Sequence, residues 1–144
     1  MSKQDRLLTL FLRIMGSAAL LAVGAVVMPY SWMDAVHRWL GMGRLPGEPI
    51  VGYLARSTSG FYALFGGLMW VVSWDLQRHR IVLCYLGAAT IMFGLALFAV
   101  DIFEGMPLYW ILGEGPVNTA FGVYILVSSR HLKTQGQRSR KERE

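Results

Sequence analysis

Four ionisable residues fall inside apolar runs: Arg13, Arg56, Asp101 and Glu114. In hydrocarbon such residues are expensive, so they mark places where charges pair, protons move or a polar group is held. Arg56 shares a helical face with Ser59, Gly60, Ala63 and Gly67, and Asp101 falls on one stripe with Gly87, Thr90 and Gly94. Membrane helices approach one another on such small-residue faces, so Arg56 and Asp101 are expected to point at neighbouring helices. Glu114 and Asn118 are one turn apart, beside Gly115 and Pro116. The proline lacks an N–H and clashes with the preceding turn, which predicts a kink or broken turn at Glu114. Two readings stand for Arg56, Asp101, Glu114 and Asn118. They form a structural ion-pair cluster, or they line a polar pocket that binds a small polar molecule or lipid headgroup, or relays a proton. Arg13 and Asp75 make a second pair, although Arg13 could equally reach lipid phosphates.

Other chemistries fail on residue inventory. Cys84 is the single cysteine, which leaves no disulfide, zinc cluster or Cys-x-x-Cys motif within one chain. Bis-histidine haem ligation needs histidines within apolar helices, whereas His37, His79 and His131 stand in loops or at the ends of the runs. Phosphate-loop and His-Glu-x-x-His patterns are absent, so no metal or other cofactor is expected. No nucleophile stands beside Glu114, which makes an enzyme the less favoured class.

The elements that must position these residues are long apolar helices. Of 144 residues, 54% are hydrophobic and 16% charged, with a mean hydropathy of +0.41. Crossing a bilayer takes about 20 residues of helix. Four stretches qualify: Leu7 to Met28, Ile50 to Trp74, Ile81 to Ile102 and Leu108 to Ser129. Pro29, Pro46 and Pro49, the charged run Asp75 to Arg80, and Gly105 with Pro107 punctuate them. Alternating ten-residue segments are missing, which argues against a β-barrel. The expected fold is all-α, an integral membrane four-helix bundle over residues 1–129, followed by a basic tail, 130–144, that is disordered or partly helical. Ala22-Val23-Gly24 has the small-x-small look of a signal cleavage site, but the run is longer than a signal core and Arg13 interrupts it.

Basic residues near span ends stay cytoplasmic. Lys3, Arg6, Arg13, Arg78, Arg80, Arg130, Lys133, Arg138, Arg140, Lys141 and Arg143 fall on one side, against Arg38 and Arg44 on the other. Both termini are therefore expected in the cytoplasm. Arg56 then lies about 9 Å below the outer end of its span, with Asp101 and Glu114 in the same leaflet half. The tail, which carries much of the +5 net charge, suits anionic lipid. It has no interleaved aromatics or motif for nucleic acid. In the first outer loop, Ser31 to Leu40 carries Trp32, Met33, Val36, Trp39 and Leu40 at helical spacing. That predicts an amphipathic helix in the interface plane, started by a Ser31–Asp34 capping box and stopped by Gly41 and Gly43. Trp32, His37 and Trp39 would form a lid over an outward-facing pocket, or simply anchor the loop.

The segments Tyr53-Leu54-Ala55-Arg56, Phe61 to Gly67 and Leu112-Gly113-Glu114-Gly115-Pro116 resemble those of small uncharacterised bacterial four-helix membrane proteins of the DoxX-like type. The resemblance implies a bacterial inner membrane and no established activity. The expected role is a structural or accessory subunit, or a binder of a small apolar or amphipathic ligand. A small oligomeric transporter or proton-coupled carrier is the alternative. The bilayer is the expected partner, with a second copy or a larger membrane complex beside it.

Overall fold

A computed structural model describes residues 2–141, with side chains through residue 132. The chain is helical and has no strand among the described residues. In order the helices are α1 Lys3–Leu20, α2 Val23–Val27, α3 Tyr30–Trp39, α4 Pro49–Trp74, α5 Arg80–Phe103, α6 Leu108–Gly113 and α7 Gly115–Lys141. Two compact units divide it: Met1–Thr9 with Val72–Glu144, and Leu10–Val71.

Punctuation in the sequence explains most boundaries. Pro49 opens α4 at its first turn, where a missing N–H costs nothing. The chain turns after α5 at Gly105, whose φ of +66° suits a residue without a Cβ. Glu114 separates α6 from α7, as the proline at 116 requires. Two boundaries differ from expectation. The first apolar run is interrupted at Leu21–Ala22, where Ala22, Gly24 and Ala25 bond three residues back instead of four and tighten the backbone between α1 and α2. The last helix does not stop at Ser129 but continues to Lys141, through lysine, arginine and glutamine that favour helix.

A third difference concerns α3. Its N-cap is Pro29, without a side-chain cap, so the Ser31–Asp34 capping box does not form. Asp34 turns elsewhere. Its Oδ1 accepts the Leu45 N–H at 2.9 Å and its Oδ2 pairs with Arg38 at 3.0 Å. A carboxylate that holds the returning loop and an i,i+4 arginine has two charge-assisted partners, against one backbone N–H in a capping box.

In the unit of residues 1–9 and 72–144, α5 and α7 pack antiparallel along one seam. The glycines show how closely. A Cβ on Gly87 would lie 2.7 Å from the Leu126 nitrogen, on Gly94 2.6 Å from Thr119 N, on Gly122 2.6 Å from Ile91 N, and on Gly115 2.8 Å from the Phe98 Cα. These pairs keep one register, with alternating steps of three and four residues, the left-handed 3-4 mode of packing. Cys84 and Ser129 extend it: Ser129 Oγ donates to the Leu126 carbonyl at 2.8 Å, and the Cys84 thiol meets the Ser129 hydroxyl at 3.2 Å. Leu83, Leu86 and Ile125 are buried in this unit.

In the unit of residues 10–71, α1 and α4 approach at Gly16 and Gly66, where a Cβ on Gly66 would lie 2.8 Å from the Leu20 nitrogen. Trp70 Nε1 donates to Ser17 Oγ at 3.1 Å. The loop after α3 folds back on it: the Tyr30 hydroxyl donates to the Pro46 carbonyl, and His37 Nδ1 donates to the Gly43 carbonyl at 3.0 Å.

Candidate functional site

The residues singled out by charge divide between the two units. Arg56 belongs to residues 10–71, and Asp101, Glu114 and Asn118 to the other unit. Each has partners, or lacks them, for local reasons.

Arg56 is half-buried on α4 and aims at the end of α2. Its Nε donates to the Val26 carbonyl and its Nη2 to the Met28 carbonyl, both at 3.1 Å. The last carbonyls of a helix have no internal donors, and a guanidinium fork can serve two of them at once. Arg56 thereby ties the α2–Pro29 corner to α4. Its Ser59 neighbour on the expected small-residue face bonds back to the Ala55 carbonyl at 2.8 Å.

Glu114 sits at the break between α6 and α7 with φ −96° and ψ −68°. Its Oε2 accepts the Trp110 indole N–H at 2.5 Å. Its carbonyl accepts two bonds from Asn118, from the backbone N–H at 3.0 Å and from Nδ2 at 2.9 Å. The expected link between Glu114 and Asn118 is thus made through the backbone of the broken turn. Trp110 is a partner that the charge pattern alone does not reveal, although its i,i+4 spacing to Glu114 is a usable signal in the sequence.

Asp101 is the outlier. It is 5% exposed, its backbone carbonyl accepts the Met106 N–H at 2.9 Å, and its Oδ2 is buried without a hydrogen-bond partner. Buried polar atoms are nearly always satisfied, so an orphaned carboxylate oxygen calls for an explanation.

The remaining candidates serve local structure. Arg13 is exposed and stands over the Trp70 ring, 5.3 Å from its centroid. Asp75 Oδ1 accepts the Arg78 N–H at 3.0 Å, and its carbonyl accepts the His79 N–H at 3.1 Å. It thereby shapes the turn before α5. On α3, Trp32, Val36 and Trp39 form an exposed apolar face, while His37 is held by the loop. The basic side chains Lys133, Arg138, Arg140, Lys141 and Arg143 lie outside the described residues. Among the described residues no three His, Cys, Asp or Glu side chains are grouped to hold a metal ion.

Two helical stretches, Lys3–Val27 and Arg80–Phe103, are long and apolar enough to cross a membrane among the described residues. α4 is as long, but Arg56, the Ser57 to Gly60 run and its tryptophans lower its hydropathy. The break at Glu114 divides the fourth apolar run. No family model, curated protein or solved structure matches the chain.

Proposed function

We propose that the chain is a small multi-pass inner-membrane protein. Its four spans would be α1 with α2, α4, α5, and α6 with α7, both termini cytoplasmic, with α3 in the outer interface. Its role is that of a structural or accessory subunit, or a binder of a small apolar or amphipathic ligand. One observation carries this reading: large apolar side chains crowd the outside of the helices, while several polar ones are buried. Leu21, Phe61, Ile81 and Phe103 are more than 70% exposed, whereas Ser73, Thr90, Asp101 and Ser129 are buried. Water does not tolerate apolar surface on that scale, and lipid does. The DoxX-like resemblance adds a bacterial inner membrane to the reading.

The test is membrane extraction of the full chain with alkaline carbonate, combined with reporter fusions. Retention in the pellet is expected, with a reporter after Glu144 on the cytoplasmic side and one at Gly43 outside. A chain released to the supernatant refutes the proposal.

A second reading, a small oligomeric transporter or proton-coupled carrier, draws support from Asp101. A buried carboxylate oxygen without a partner is what a transported cation or donor would need.

A further inference from the structure

The α5/α7 seam runs out at Asp101, and its register says what lies opposite. Phe98 meets Gly115, the first residue of α7, backbone against backbone. Asp101 is the next position of α5 on that face, about 4.5 Å further along the axis. That step carries it past the start of α7 to the break at Glu114 and the last turn of α6, which packs against both α5 and α7. The turn is rich in oxygen. Pro116 has no N–H to offer the Leu112 carbonyl, so that oxygen has no helical donor. The Glu114 carboxylate stands at the break itself, with its Oε2 already accepting the Trp110 indole.

Among the described side chains of this unit, no basic one lies at this end of the seam. The basic residue of α5, Arg80, lies at the opposite end of the helix, and its Nε donates to the Ser129 carbonyl at 3.3 Å. Arg130, at the same end as Ser129, is equally remote along the seam. An internal alternative exists in the first N–H groups of α7, which face the same break. Asp101 Oδ2 takes none of them.

We propose that Asp101, with the broken turn between α6 and α7, binds a small monovalent cation of the sodium type. One positive charge matches the single charge of a carboxylate whose Oδ2 is buried without a partner. Carbonyls released at a broken membrane helix, together with a carboxylate, suit a hard cation that must shed its water. The inference rests on the carrier reading above and gives its cation a chemical class. The site is formed within one unit, from α5, α6 and the start of α7.

The experiment uses the full chain purified in detergent in choline chloride, titrated with sodium chloride at constant ionic strength. Calorimetry is expected to show saturable binding of about one sodium per chain, and the melting temperature to rise by about 5 °C. Asp101→Asn is expected to lose the response. In choline chloride alone it should melt at or above the native chain, because the amide removes an uncompensated buried charge. Absence of binding to the native chain, or a response retained by Asp101→Asn, overturns the proposal. So does a melting temperature that moves with pH but not with sodium. The titration of the native chain decides the matter even if the variant does not fold. Failure of the membrane reading would show separately, in carbonate extraction.

Discussion

Arg56 reaches two backbone carbonyls across 28 and 30 residues of chain. Bonds from a charged donor to part-buried acceptors contribute about 1.5–3 kcal/mol. Arg56→Gln is therefore expected to lower stability by about 2 kcal/mol. Arg56→Lys should recover less than half of that, since an ammonium cannot serve both carbonyls in one plane. Thermal unfolding in detergent compares the three, and an unchanged Arg56→Gln would remove the corner role. For Glu114 the expectation is milder. Glu114→Gln keeps an oxygen for the Trp110 indole, so its stability should stay within about 1 kcal/mol of the native chain. A collapse on that substitution would point to an ion pair of Glu114 instead. The sequence exposed both residues as charges in apolar runs. It could not reveal that Arg56 bonds to carbonyls, because backbone acceptors are present at every position and leave no pattern of residue types.

Among the elements, the α5/α7 seam is the most exacting. Gly94→Ala would bring a methyl group within 2.6 Å of the Thr119 backbone. Overpacking of this kind costs about 1–3 kcal/mol. Gly60 on α4 has nothing within 4 Å of the same methyl group. There, alanine should be neutral or stabilising by up to about 1 kcal/mol, from helix propensity. Melting both variants side by side separates packing from propensity, and equal effects would sink the seam. Proline and glycine made many of the element boundaries legible: α5 lies within a residue of expectation at either end, and the break at Glu114 was foreseen from Pro116. The interruption at Leu21–Ala22 was not, since leucine and alanine both favour helix and no breaker stands there. Asp34 misled because a carboxylate three residues after a serine also fits a loop clamp.

At the level of the whole molecule, basic residues and exposed apolar side chains point to the same expectation by separate routes. The charge asymmetry predicts which ends stay in the cytoplasm, and the exposed apolar surface predicts lipid around the helices. Moving the asymmetry should move the chain. Replacing Arg78 and Arg80 with glutamine while adding two lysines near Gly43 is expected to reduce the fraction of chains with Gly43 outside, read by the same reporter fusions. An unchanged orientation would show that the remaining basic residues suffice. The lone thiol at the seam offers a different view of the molecule. Cys84 is half-buried and bonded to Ser129, which is fully enclosed between α5 and α7. An alkylating dye should thus react slowly with the native chain and quickly once the seam parts. Without any engineered label, the rate of that reaction becomes a clock for the parting of α5 from α7.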